Sequence, residues 1–336
     1  MCSLDPEAKM AWQLTIGLLL GTSAFVWATW GTDLSQVLSL IIGASTSFWM
    51  GTAMLFLIQQ LLRAYRQQLL VQSRAPEYRY SQSLSTLCIG FFLINTLPIR
   101  LGELSRPILF NRQSNLSMGS GFALIFVERL IDLLAAMIMA LLTLAYADIA
   151  FEHPWLNDIQ SIAQTAAPVL IVLICCLLVG AQFLLPYTPK LLKNFVKALS
   201  ELELKLMLKV VLISIVVWGM SCWMYVLAAQ GFELADINYF EGMGLLAFTM
   251  IGMAPPSAPG FAGSYEAAFV VGLQVFGSSD ANLNFAMAFG FHWWIYTVQS
   301  CTGIYYLAKS EHKATELLKV VLNRSSTTSE PQSIDR

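Results

Sequence analysis

Charge is scarce in this 336-residue chain. Asp, Glu, Lys and Arg together make up 12% of it, about half the share in an ordinary soluble domain. Hydrophobic residues make up 57% and mean hydropathy is +0.63, so the chain reads as an integral membrane protein. A net charge of −2 says little about partners, and since nothing resembles a nucleic-acid footprint, no nucleic-acid partner is expected. Histidine is rare as well: His153, His292 and His312 stand far apart without neighbouring ligands, which argues against a metal centre. The six cysteines (Cys2, Cys88, Cys175, Cys176, Cys222, Cys301) show no CxxC spacing and fall mostly in apolar segments, so they read as small buried hydrophobes. Neither GxSxG nor a P-loop occurs, which removes the hydrolase and nucleotide-driven signatures, and no cofactor is expected. No hydrophilic stretch is long enough to fold as a soluble domain.

What the chain does have is long apolar runs. Six reach the roughly 20 residues that a membrane-spanning helix needs: 11–30, 36–62, 121–146, 165–187, 210–230 and 283–308. No small-x-small cleavage site follows the first, so it reads as a retained helix and not a signal peptide. Two further regions, 82–119 and 239–280, are broken by proline and glycine. The first contains Leu97-Pro98-Ile99-Arg100-Leu101-Gly102-Glu103-Leu104-Ser105-Arg106. The second contains Ala254-Pro255-Pro256-Ser257-Ala258-Pro259-Gly260-Phe261-Ala262-Gly263-Ser264-Tyr265-Glu266. Broken backbone at membrane depth survives only where protein or a water-filled cavity satisfies it, and a pair of such breaks in the two halves of a chain points to a transport site.

Basic residues orient these segments. If each broken region leaves the membrane on the side it entered, one side collects Lys9, Arg63, Arg66, Arg74, Arg79, Arg100, Arg106, Arg112, Lys190, Lys193, Lys197, Lys205, Lys209, Lys309, Lys313, Lys319, Arg324 and Arg336. That is every basic residue except Arg129, which lies inside a span. The opposite loops hold Asp33, Asp148, Glu152, Asp158, Glu233, Asp236, Glu241 and Asp280, and no basic residue. Positive-inside bias makes the basic side cytoplasmic, with both termini there. Segment 104–119 is too polar for a second crossing, so 82–119 reads as re-entrant from the cytoplasm. Segment 261–277 is apolar enough for a full hairpin, but Pro255, Pro256 and Pro259 favour re-entry from outside.

The expected fold class is therefore all-α: a polytopic cell-membrane protein of six spanning helices and two re-entrant helical hairpins, arranged as an inverted-topology repeat. It forms one transmembrane domain over 1–323. Residues 324–336 are polar and aperiodic and read as a disordered cytoplasmic tail. Residues 189–207 gather Leu191, Leu192, Phe195, Leu199, Leu202 and Leu206 on one helical face, which predicts a basic amphipathic helix lying on the cytoplasmic leaflet.

Two charged clusters could carry chemistry. A helix beginning after Pro98 stacks Arg100, Glu103 and Arg106 at i,i+3 spacing, plus-minus-plus on one face. Two guanidinium forks flanking a carboxylate can hold a phosphate; a hairpin locked by internal salt bridges is the structural alternative. The second cluster is Glu128, Arg129 and Asp132, one to three turns into a span, where uncompensated charge is costly and pairing is expected. Either Glu128 or Asp132 brackets the hairpin arginines, or the cluster touches substrate directly. In the second broken region Pro256, Pro259, Gly260 and Gly263 form a hinge or gate beside Glu266. If Ser264 caps a helix there, its free N–H groups attract an anion, whereas Glu266 can equally satisfy the helix start itself. His292, with Trp293, Trp294 and Tyr296, reads as an interfacial aromatic belt.

At these residues the chain resembles the flippase-like transmembrane domain of the lysylphosphatidylglycerol synthetases, the multiple peptide resistance factors. The resemblance rests on Leu97-Pro98-x-Arg100-x-Gly102-Glu103-x-x-Arg106, on Glu128-Arg129-x-x-Asp132 and on Pro259-Gly260-x-x-Gly263-x-x-Glu266, in order, across most of 11–308. It implies binding and movement of an amphiphilic lipid between leaflets, with a membrane lipid as the partner and lipid-pathway enzymes or a second copy of the chain as further ones. Relatives that aminoacylate lipid carry a large soluble transferase domain; these 336 residues hold none, so transferase activity is not expected of them. Two alternatives stay open: an intramembrane lipid-modifying enzyme using Glu103, Glu128 or Asp132 as base, and a small-solute or ion transporter built on the same hairpins.

Overall fold

The computed structural model describes residues 6–97, 102–149, 158–170, 172, 203–234, 237–255 and 258–310. Pro98, Arg100 and Pro256 lie outside the described residues, as do most of 165–187, the amphipathic segment up to 202 and the tail 324–336. Among the described residues the chain is helical throughout, with no strand. In chain order the helices are α1 (Pro6–Ala28), α2 (Leu34–Gly43), α3 (Thr46–Gln72), α4 (Tyr80–Thr96) and α5 (Ser105–Ser114). There follow α6 (Met118–Tyr146), α7 (Leu204–Gly231), α8 (Tyr239–Gly252), α9 (Ser264–Val275) and α10 (Ala281–Lys309).

Short polar side chains start five of these ten helices by accepting the first free N–H groups. Asp33 accepts from Ser35, Ser45 from Phe48, Ser117 from Ser120 and Asp280 from Asn282 and Leu283. Asn238 and Glu241 form a reciprocal capping box. Hydrogen bonds from Ser35, its hydroxyl first, also hold the Asp33 carboxyl below the usual carboxylate range.

Run 36–62, expected as one span, is two helices. Ala44 and Ser45 are extended at the junction, and α2 and α3 meet at 74°. No proline marks this break. Ser45 makes it by capping α3 while its N–H donates to the Gly231 carbonyl at 3.1 Å. Of the described helices, α7 alone is both long and apolar enough to cross a membrane, joined by a second span if the bent α2–α3 pair counts as one. Helices α6 and α10 have the length, 29 residues each. Their apolar character is interrupted, in α6 by Glu128, Arg129 and Asp132 and in α10 by Asn284, His292 and Gln299.

Both broken regions fold as helical hairpins. In the first, α4 and α5 run antiparallel: Gln82 at the start of α4 donates to the Gln113 carbonyl at the end of α5, at 3.2 Å. Near the turn, a Cβ on Gly102 would sit 2.2 Å from the Leu93 and Ile94 backbone, so only glycine lets the returning chain pass so close. In the second, α8 and α9 are joined by a short 3-10 turn at Pro259–Phe261. Gly252 lies against Ser264 and Ala268, and Gly244 against Phe276, so the arms again return to one end.

The packing repeats. Helix α3 lies against α4 as α7 lies against α8; α5 against α6 as α9 against α10; and α6 against α8 as α10 against α4. At the centre α3 and α7 pair antiparallel, from Ser45–Gly231 through Gln59–Val217 at 2.8 Å to Arg66–Ser214 at 2.8 Å. The α4 helix also reaches the Pro259–Phe261 turn of the second hairpin.

Candidate functional site

The centre of the first half is a buried ion network. Arg66 on α3, Arg106 on α5 and Glu128 on α6 are 1%, 1% and 4% exposed, so each needs a partner of opposite charge. Arg66 Nη1 donates to Asp132 Oδ1 at 2.7 Å and to the Ser214 hydroxyl, while its Nη2 donates to Glu128 Oε1 at 3.1 Å. Arg106 Nη2 donates to Glu128 Oε2 at 2.6 Å. Glu128 thus bridges two guanidinium groups, one oxygen to each. Asp132, one turn on, closes the other side of Arg66 and accepts from Trp218 Nε1 at 3.1 Å.

A second layer fixes the arginines. Gln67 Oε1 accepts from Arg106 Nε at 3.1 Å and Nη2 at 2.6 Å, and its amide donates to Ser83 on α4. Gly90 makes room for the Arg106 stem, which a Cβ there would meet at 2.6 Å. The hairpin is therefore clamped between α3 and α6 by charge and kept close by a missing side chain.

Two guanidiniums and two carboxylates cancel, but donors remain. Arg106 Nη1 and Arg66 Nε are buried without a partner, as are both amide atoms of Gln60, two turns before Gln67. Arg63, on α3 between them, lies 5.7 Å from the Phe91 ring centroid and 5.8 Å from that of Trp218. Among the described residues no carboxylate pairs with it. Aromatic faces hold a cation without neutralising it, so the network carries one surplus positive charge.

The structure separates residues that the i,i+3 reading had stacked. Residues Gly102–Leu104 form a tight turn and α5 begins at Ser105. Arg106 consequently points inward, whereas Glu103 pairs with Arg129 at 3.5 Å, both roughly two-fifths exposed. The expected bracket between helix and hairpin is present as Glu128–Arg106. Arg63 and Arg66, which the sequence places among the basic residues of the cytoplasmic side, form the spine of the site together with Gln67. The available signal was the recurrence of Gln59, Gln60, Arg63, Arg66 and Gln67 at three- and four-residue steps in an apolar segment.

The second half holds a different polar group. Glu266 on α9 is 0% exposed. One oxygen accepts from the Gly263 N–H at 2.7 Å and the other meets His292 Nδ1 on α10 at 2.7 Å. The cap of α9 is Gly263, not Ser264, whose hydroxyl turns back to the Phe261 carbonyl. The anion-attracting helix start is thus already filled by Glu266. The His292 ring stacks on Tyr265 with centroids 4.0 Å apart, and Tyr265 continues through Tyr225 to Thr249 at 3.0 and 2.7 Å. His292 is a buried partner, where the sequence suggested an interfacial belt. Gly260 and Gly263 have φ of 68° and 84°. A Cβ on Gly263 would fall 1.9 Å from the Gly21 carbonyl of α1.

The sequence model of one protein family, described as lysylphosphatidylglycerol synthase TM region, matches residues 14–303. Comparison with curated proteins and with solved structures gives no match.

Proposed function

The chain belongs to the lysylphosphatidylglycerol synthase TM region family, a membrane, lipid-related family, and on that premise we propose that it is a lipid translocase. It moves an amphiphilic, phosphate-bearing lipid between the leaflets of the cell membrane, with both termini cytoplasmic and the two hairpins re-entrant from opposite faces. The observation that carries this reading is the surplus of donors beside the first hairpin: the buried Arg106 Nη1 and Arg66 Nε, and the half-buried Arg63 flanked by two aromatic rings. An acceptor-rich anion satisfies all three, and a phosphate offers the oxygens to do so. Arg63 is the primary headgroup contact, because Arg66 and Arg106 are already engaged by Glu128 and Asp132.

Translocation fits better than lipid modification. Each carboxylate of the network accepts from guanidinium groups, an arrangement that fixes charge and leaves no free base. The paired hairpins, packed in repeated fashion about the antiparallel α3–α7 pair, support an alternating-access device of inverted repeats.

The test is flipping of fluorescent phosphatidylglycerol in proteoliposomes, read by quenching of the outer leaflet. Arg63→Gln should slow it about tenfold, the worth of one charge-assisted hydrogen bond, and Arg63→Lys should recover part of the rate. A wild-type rate equal to that of protein-free vesicles would refute the translocase. A normal rate in Arg63→Gln would remove Arg63 from the headgroup site.

A further inference from the structure

We infer that the Glu266–His292 pair is a proton-binding site that couples lipid movement to a proton gradient; this rests on the translocation reading above. The packing repeat gives the first reason. Arg106 and Glu128 stand on the second arm of hairpin one and the helix after it; Glu266 and His292 stand on the second arm of hairpin two and the helix after it. Tyr225, hydrogen-bonded to Tyr265, takes the place on α7 that Arg66 takes on α3. One pseudo-equivalent site is thus held by fixed charge that arginine cannot give up. The other is held by an imidazole and a carboxylate, groups that can each gain and lose a proton.

The pair's surroundings make one proton count. With a neutral imidazole and an ionised Glu266 the pair carries one negative charge; one added proton makes it neutral while the Nδ1···Oε1 contact persists. Among the described residues the titratable groups facing it are the phenols Tyr265 and Tyr225, with Tyr296 of α10 against Gly260. Helix α1 has no ionisable residue after Lys9 and α2 has none at all. On α8 they are Glu241, bonded to Asn238 in the first turn, and Tyr239, whose hydroxyl donates to the Gly219 carbonyl. Helix α3 meets α10 through Trp49, and α4 meets it through Cys88 and Phe92 at Gly303, three turns beyond His292. Among the described residues no arginine or lysine pairs with Glu266, so the net charge of the pair follows the proton.

The same carboxylate holds the hinge. Its Oε2 accepts the Gly263 N–H, and Gly263 is wedged on the Gly21 carbonyl in a left-handed conformation. An ionised carboxylate accepts that bond roughly twice as strongly as a neutral acceptor does. A proton that settles on the Glu266 carboxyl therefore loosens the turn by which the second hairpin packs against α1, which is the mechanical step coupling requires.

Two measurements test this. Difference infrared spectroscopy of the purified protein across a pH step should show a protonated-carboxyl band that is lost in Glu266→Gln and shifted in His292→Gln; an unchanged band in both overturns the site. In proteoliposomes, a one-unit pH difference should sustain up to about a tenfold lipid asymmetry if one proton moves per lipid, and both variants should abolish that dependence while leaving lipid bound. Flipping that is normal but indifferent to the gradient overturns coupling and leaves the translocase standing. A carboxyl band without any flipping overturns the translocase reading and with it the coupling.

Discussion

Glu128 is the residue on which the first half depends. It is 4% exposed and its two oxygens answer two arginines. Removing its charge leaves Arg66 with Asp132 and Arg106 with the neutral Gln67 amide, and breaking a buried pair by deleting one partner costs about 3–5 kcal/mol. Glu128→Gln should therefore lower the thermal midpoint in detergent far more than a surface change. Combining it with Arg106→Gln should cost less than the two single losses added together, by about 0.5–3 kcal/mol. Arg129→Ala, the next residue in sequence, makes the control. Its bond to Glu103 is long and well exposed, and such pairs are worth about 0–1 kcal/mol. Equal losses for Glu128→Gln and Arg129→Ala would show that the network contributes no special stability.

Glycines divide the hairpin turns from the helix starts. At Gly263 a methyl group has both a left-handed φ of 84° and the Gly21 carbonyl against it; at Gly102 it meets the backbone of Leu93 and Ile94. Gly119, in the first turn of α6, has nothing within 4 Å. Gly263→Ala and Gly102→Ala should thus fail to fold or lose several kcal/mol, while Gly119→Ala should be neutral or gain up to about 1 kcal/mol. Thermal unfolding of the three purified variants distinguishes these outcomes. Whereas the cap expected at Ser264 falls to Gly263, the turn glycines were legible in the sequence because proline and glycine disrupt an apolar run locally. The α2–α3 break was not, since no residue at Ala44–Ser45 forbids a helix and the distant Gly231 carbonyl helps to make it. Pairings escaped for the same reason. Arg66 and Glu128 are 62 residues apart and Glu266 and His292 are 26 apart, separations that no helical periodicity encodes.

At the scale of the whole molecule, the described helix ends are sorted by charge. One end collects the caps Asp33, Asn238 and Asp280, and there the Asp33 N–H donates to Asn282 Oδ1 of α10 at 2.7 Å. The other collects Arg79 and Arg112 of the first hairpin, Lys205 and Lys209 at the start of α7 and Lys309 at the end of α10. The first hairpin opens at the basic end and the second at the acidic end. If the α3–α7 axis crosses the bilayer, the two hairpins therefore enter from opposite faces, although α6 and α10 are less apolar than ordinary spanning helices. Their interruptions are met from within: Glu128 and Asp132 by arginine and His292 by Glu266, which is the condition for polar groups to persist at membrane depth. Single cysteines at Asn115 and Ser278, in a cysteine-free background, mark the open ends of the two hairpins. A membrane-impermeant maleimide should label position 115 only from the cytoplasmic face and position 278 only from the outer face of sealed vesicles. Labelling of both from one face would refute opposed hairpins, and with them the inverted repeat on which alternating access rests.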